Sequence, residues 1–156
     1  MTISLVHLHL LTNHIPVIGL PLVAFVLFAA LWMRNSDVGK LGLLMLAGIA
    51  VLTIIPYSTG DSAAHAVRDI AGVTRATVRE HDDAAGWAFY GSCVIGAMGL
   101  WFLWSYRRRE LPRKIVGVSL AAVLFVSSVM ARTAYLGGMI RHTESHAAGA
   151  DSSAVK

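Results

Sequence analysis

The sequence predicts an all-α, polytopic membrane protein in which four transmembrane helices form an antiparallel bundle. Its residues are 56% hydrophobic and only 14% charged, and a mean hydropathy of +0.63 is too high for a soluble domain of this length. The apolar residues fall into four runs, each close to the ~20 residues that a helix needs to cross a ~30 Å hydrocarbon layer. The polar and apolar alternation of a membrane β-barrel is absent.

The four predicted spans lie within a single transmembrane domain of residues 1–145, which a flexible tail of residues 146–156 follows. The apolar runs place the spans at about residues 14–33, 39–57, 84–106 and 114–136. No Lys or Arg precedes the first run, so the first span is expected to be retained rather than cleaved as a signal peptide.

The connection between spans two and three, residues 58–83, is too long for a simple turn between antiparallel helices and predicts a short helical loop. Thr59-Gly60-Asp61 indicates a turn at its start, and a short helix is expected over residues 62–71. Residues 73–80 are expected to resume a helix that leads straight into span three.

The charges of the connections predict the orientation. The two short connections, around residues 34–40 and 107–114, are basic, whereas carboxylates outnumber arginines in the long loop. By the positive-inside rule the basic connections are cytoplasmic, so both termini and the loop are extracytoplasmic. Aromatic residues fit a belt at each interface: Trp101, Trp104 and Tyr106 inside, and Tyr57, Trp87, Tyr90 and Tyr135 outside.

All histidines of the chain fall on that outer side, which predicts a site at one membrane surface because imidazole titrates near neutral pH and ligates metals. His14 opens span one, His81 stands at the mouth of span three, and His142 follows span four, so these three are the leading candidate ligands. His65, on the predicted loop helix, ranks second. The remaining histidines lie in flanking segments and rank lowest: His7, His9 and His146.

Two carboxylates accompany the leading histidines. Asp82 follows His81 directly, and Glu144 lies two residues after His142, so each is a candidate metal ligand or hydrogen-bond partner of a ligand. Below His81, a stripe of small residues runs along span three through Ala88 and Gly99. Such a stripe either lets helices pack closely or leaves room for a flat macrocycle.

Two arginines are candidates for holding the propionates of a heme. Arg132 lies about one turn inside the predicted end of span four, where an arginine is costly unless it reaches the interface or meets an anion. Arg141 lies beside His142 in the segment that follows the same span.

Four short motifs resemble a group of uncharacterised four-helix bacterial inner-membrane proteins of the domain-of-unknown-function type. They are Asn13-His14-Ile15-Pro16, Thr59-Gly60-Asp61, His81-Asp82 and Gly138-Met139-Ile140-Arg141-His142-Thr143-Glu144. In that group His-Glu is expected where this chain has His81-Asp82, which keeps the carboxylate and shortens its reach. The resemblance implies the four-helix fold, a place in the bacterial inner membrane and the outward histidine cluster, and supplies no activity.

Three functions are open on the residues alone. The first is electron transfer through a heme b held by His14 and His81, with His142 as a replacement for either, between quinone and a periplasmic redox protein. The second is a zinc, iron or copper ion held by three histidines and a carboxylate, with hydrolytic or oxidative chemistry. The third is a structural subunit of a larger membrane complex. Whether the chain is an enzyme stays open. Binding of nucleic acid is not expected, because the basic connections are explained by their role in setting the orientation of the spans in the membrane.

Overall fold

A computed structural model of the chain describes residues 4–67 and 73–141, and this part is all helical. Its six helices, in chain order, are α1 (Leu5–Thr12), α2 (His14–Met33), α3 (Ser36–Leu52), α4 (Ile54–Ala66), α5 (Arg75–Ser105) and α6 (Arg113–Arg141). α1 runs on into α2, and α3 runs on into α4, each pair with one intervening residue.

Four helical segments of the described part are long and apolar enough to cross a membrane: Leu5–Met33, Ser36–Ala66, Arg75–Ser105 and Arg113–Ile140. The prediction of four long apolar helices is therefore confirmed. Each segment has 28 to 31 residues, which at ~1.5 Å per residue is longer than a ~30 Å hydrocarbon layer requires. The predicted spans were shorter because hydropathy marks the apolar part of a helix and not its polar continuation.

The largest difference from the prediction lies at the start of the expected loop. Thr59-Gly60-Asp61 was expected to form a turn, but these residues lie inside α4, which continues to Ala66. Thr59 is buried, and its hydroxyl donates to the carbonyl oxygen of Ile55 at 2.9 Å, so the residue supports the helix. The resumption of helix before span three is confirmed, since α5 begins at Arg75. Residues 68–72 of the predicted loop helix lie outside the described residues.

The two interruptions share a chemical cause. Pro16 and Pro56 each follow an interruption by three residues, and a proline has no backbone N–H for the carbonyl four residues before it. At both interruptions a buried threonine bonds back to its own helix. Thr12 donates to the Leu8 carbonyl and Thr53 to the Ile49 carbonyl, each at 2.7 Å.

The four long segments form an antiparallel bundle in which α2, α3, α5 and α6 are neighbours in that order around the core, with α6 returning to α2. The core is aliphatic, and its fully buried side chains include Leu20, Leu27, Leu43, Leu46 and Val123. The helices approach closely where they carry glycine. A Cβ on Gly99 would lie 3.2 Å from the backbone oxygen of Leu43, and one on Gly96 would clash with Ala50.

These contacts show what the stripe of small residues on α5 packs against. Gly96 and Gly99 face α3 directly, and Ala88 and Ser92 are buried. The close-packing interpretation is confirmed for Gly96 and Gly99, where α3 occupies the space that side chains would take. The aromatic side chains assigned to the two belts are exposed at Trp101, Trp104, Tyr57, Trp87, Tyr90 and Tyr135.

The two ends of the bundle differ. The basic end carries the short connections, residues 34–35 and 106–112, and the histidine end carries α1, α4 and the first turns of α5. At the histidine end α1 packs against α4, whereas α4 has fewer neighbours on α5 than α3 has among the described residues. The joint between α4 and α5 is aromatic, because the ring of Tyr57 stacks on that of Phe89 with 3.9 Å between the centroids.

Candidate functional site

His81 joins α5 to α6 through a defined hydrogen bond. Its Nδ1 lies 3.1 Å from the backbone oxygen of Thr133, and a carbonyl oxygen can only accept, so Nδ1 carries the proton. In the neutral ring the lone pair then belongs to Nε2. A backbone carbonyl that fixes the tautomer in this way is typical of histidines whose other nitrogen binds a metal.

Gly137 makes room for that ring. A Cβ at position 137 would lie 3.1 Å from Cε1 and 3.4 Å from Nδ1 of His81, so the imidazole occupies the space that a side chain would take. The adjacent Gly138 has no heavy atom within 4 Å of the corresponding point. Both glycines lie within α6, and Gly137 provides the space that the ring of His81 occupies.

His9 makes the matching contact on the other helix pair. Its Nδ1 lies 2.9 Å from the backbone oxygen of Pro56 in α4, so this ring also carries its proton on Nδ1 and leaves the lone pair of Nε2 free of that bond. The hydroxyl of Thr59 lies 3.4 Å from the same Nδ1. The ring packs near Gly60, where a Cβ would lie 3.9 Å from its Cε1.

We term four side chains at this end of the bundle the histidine cluster: His9 of α1, Asp61 of α4, and His81 and Asp82 of α5. What relates them is the range of charge interactions, since the charge of His9 acts on His81 and Asp82, and that of Asp61 acts on Asp82. Among the described residues no hydrogen bond joins any two of the four side chains. The cluster draws one residue from α1, one from α4 and two from α5, at the end of the bundle where α4 meets α5.

An acceptor without a partner lies close by. Oδ1 of Asn13, at the interruption between α1 and α2, is buried and has no hydrogen-bond partner within the described residues. Asn13 follows His9 by four residues and so projects on a similar side of the helix, one turn deeper.

No group of three or more His, Cys, Asp or Glu side chains that could hold a metal ion occurs among residues 4–67 and 73–141. The three-histidine site predicted from the sequence includes His142, and this residue and Glu144 lie outside the described residues. The described part of the cluster by itself offers two imidazoles of fixed tautomer rather than a complete set of ligands for a bare ion.

The structure separates His14 from the cluster. His14 is exposed at the start of α2, on the face that carries the exposed side chains of Ile18 and Phe25, and no hydrogen bond to it occurs in the described part. His65 is likewise exposed, near the end of α4. Of the predicted ligands, His81 and Asp82 are therefore the two that belong to the histidine cluster, which also contains His9.

Arg132 is largely exposed, with 67% of its side chain accessible. Its guanidinium lies 3.4 Å from a carboxylate oxygen of Glu80 on α5, so the anion that it meets is a carboxylate of the first turns of α5. The other predicted arginine, Arg141, ends α6, and its side chain is not among those that the structure describes.

His9 was ranked lowest from the sequence because it lies in a flanking segment, and α1 was not predicted as a helix. The structure places it half-buried in α1 and gives it a hydrogen bond to Pro56 of α4. The run Leu5–Thr12 is apolar apart from its two histidines and Thr12, and this is the signal that could have extended the first helix towards the N-terminus.

Comparisons with protein-family models, with curated proteins and with solved structures gave no match to this chain.

Proposed function

We propose that this chain is a four-span protein of the bacterial inner membrane that binds a heme b at its histidine end and transfers electrons there. The observation that carries the proposal is the pair His9 and His81. Each ring has its Nδ1 bonded to a backbone carbonyl, and each keeps its Nε2 lone pair in the neutral form. Two axial imidazoles are all that a b-type heme requires of the protein, and they leave the iron no open position for substrate.

The position of the two rings favours a flat cofactor that lies between the helix pairs rather than inside the core of the bundle. His9 belongs to the α1/α4 pair and His81 to α5. A planar group held between them would lie beside the stack of Tyr57 on Phe89, which joins α4 to α5, whereas Gly96 and Gly99 farther along α5 are already packed against α3. When bound, the heme would supply one-electron redox chemistry, and the protein would hold and orient it.

The proposal keeps His81 as a ligand and replaces His14 by His9, because His14 is exposed and turned away from the cluster. His142 stays a candidate for the second position on the basis of the sequence. Arg132 would hold a propionate by exchanging its carboxylate partner Glu80 for the cofactor. Both termini and the histidine end would then face the periplasm, and quinone on one side and a periplasmic redox protein on the other would be the redox partners.

A bare zinc, iron or copper ion is the second candidate. It is favoured by the two carboxylates, because Asp61 and Asp82 lie in the same cluster as the histidines and heme ligation needs neither. The described residues offer too few converging donors for such an ion, so His142 or Glu144 would have to complete its ligand set. A purely structural role is the third candidate, and in it the two imidazoles serve only as hydrogen-bond donors between helices.

The test is the reduced-minus-oxidised absorption spectrum of the detergent-purified protein, with elemental analysis of the same sample. A Soret band with α and β bands and about one iron per chain supports the heme. The variants His9→Ala and His81→Ala should each lose those bands, whereas His14→Ala should keep them. Bands retained in His81→Ala would overturn the proposal, and a colourless protein with one metal ion per chain would favour the second candidate. A sample with neither would leave the structural role.

A further inference from the structure

The basic end of the bundle contains a cavity of about 150 Å³ between the α2–α3 connection and the start of α6. Two arginines line it, Arg34 from the first connection and Arg113 from the first residue of α6, together with the carboxylate of Glu110. The volume of the cavity is well above the ~10–15 Å³ that a single water needs by the same measure, so the cavity has room for a group the size of a phosphate.

The polar groups of the cavity are mainly donors. Asn35 lines it, and its Oδ1 already accepts from the backbone N–H groups of Asp37 and Val38 at 2.9 and 3.1 Å, which leaves the amide NH₂ to donate. Ser36 accepts from the backbone N–H of Leu111 at 2.8 Å, which leaves its hydroxyl hydrogen to donate.

The two arginines retain most of their donors. One guanidinium nitrogen of Arg113 lies 3.3 Å from the Leu31 oxygen, and within the described residues its other N–H groups have no such bond. Arg34 and Arg113 are both exposed, so their free donors face the open side of the cavity. Arg34 has no hydrogen bond or ion pair within the described residues. A cavity with this surplus of donors favours an anion with several acceptor oxygens.

The backbone of Arg34 shapes the rim of the cavity. This residue ends α2 with φ at 53°, and it is the one non-glycine residue of the described part with a positive φ. The left-handed conformation is a helix cap, since the N–H groups of Arg34 and Asn35 both donate to the carbonyl of Ala30. The cap turns the chain so that Arg34 and Asn35 both line the cavity.

We propose that this cavity binds a phosphate group, and specifically the phosphodiester of an anionic phospholipid in the adjacent leaflet. Apolar residues form part of the same wall, among them Leu31, and the exposed side chain of Trp32 follows on α2. A lipid would lay its acyl chains along such a surface, whereas a free phosphate would gain nothing from it. The inference rests on the four helices crossing a membrane and is independent of what the histidine end binds.

The experiment compares charge changes inside and outside the cavity. Purified protein is titrated with a short-chain phosphatidylglycerol, and bound lipid is counted by native mass spectrometry, with phosphatidylcholine as the neutral lipid. Arg34→Gln should weaken phosphatidylglycerol binding about fivefold. Arg108→Gln removes the same charge from the same end of the bundle at a residue that does not line the cavity, and it should change binding little. Glu110→Gln should tighten binding, because it removes the like charge.

Equal losses in Arg34→Gln and Arg108→Gln would overturn the inference in favour of a diffuse surface charge. Displacement of the lipid by inorganic phosphate at equal concentration would overturn the lipid as occupant and assign the cavity to a free anion. The absorption spectrum of the Arg34→Gln protein is recorded on the same sample. A cofactor spectrum that matches the unsubstituted protein separates a failure at the cavity from a failure at the histidine end.

Discussion

The ring of His81 fills the space above Gly137, since a Cβ on that glycine would come within 3.1 Å of the ring carbon Cε1. Gly137→Ala should therefore push the imidazole away from the Thr133 carbonyl and lower the occupancy of any group bound at His81. The neighbouring change Gly138→Ala meets no atom within 4 Å and should raise helix stability by up to about 1 kcal/mol. Thermal unfolding and cofactor absorbance of both variants check the pair, and equal behaviour of the two would contradict the contact.

A second prediction concerns the contact of α5 with α3. Gly96→Ala would place a methyl group against Ala50 and should destabilise the bundle by about 1–3 kcal/mol through overpacking. Gly48→Ala, on the exposed side of α3, has no atom within 4 Å and serves as the matched control. Titration of the detergent-solubilised protein with a denaturing detergent measures the stability of both variants. A stable Gly96→Ala protein would show that α3 and α5 are farther apart than described.

His9 should hold α1 on α4. His9→Ala removes the donor to the Pro56 carbonyl, worth about 0.5–1.5 kcal/mol, and should speed backbone hydrogen exchange in α1 roughly two- to tenfold. His7→Ala is the control, because His7 is exposed and bonds only to Ser4 of its own helix end. Exchange read by mass spectrometry on residues 5–12 distinguishes the two variants. Unchanged exchange in His9→Ala would assign the packing of α1 to its apolar contacts alone.

The ion pair of Arg132 and Glu80 should contribute little to stability. Both side chains are more than half exposed, at 67% and 58%, and such a pair is worth about 1 kcal/mol or less. Glu80→Gln should therefore leave the unfolding temperature nearly unchanged and should free Arg132 for a propionate. Arg132→Gln should lower heme retention in a dilution assay. If both variants released heme equally, the role of Arg132 toward the propionate would be refuted.

The left-handed backbone conformation of Arg34 should make the protein less stable than it would be with glycine at this position. Arg34→Gly relieves the left-handed conformation and should stabilise the fold by about 1 kcal/mol, while it weakens binding of anionic lipid. Arg34→Ala removes the same charge and keeps the conformational cost, so it should weaken lipid binding without the gain in stability. Thermal unfolding without added lipid tests this, and a less stable glycine variant would argue against it.

The number and order of the long helices could be predicted because both follow from local composition: each apolar run is continuous, and short connections force antiparallel neighbours. The contact of His81 with Thr133 could not, because it joins residues 52 positions apart in sequence. The length of α4 was missed because a Thr-Gly-Asp triplet is typical of turns, whereas here Thr59 bonds to the Ile55 carbonyl and α1 packs against the helix. The side of α2 on which His14 lies could not be predicted either, because a helical projection does not say which face is the exposed one.

The paired interruptions at Asn13 and Thr53 have a mechanical consequence. His9 bonds to Pro56, so the two helices are in register, and the interruptions lie four residues beyond His9 and three before Pro56, at nearly one depth. Backbone hydrogen bonds still reach both interrupting residues, from Asn13 to the His9 carbonyl and from Thr53 to the Ile49 carbonyl, so each helix continues with one bond fewer at its proline. Because His9 also ties α1 to α4, a bend at one interruption has to be matched at the other, and the two helices keep a common direction at this end of the bundle.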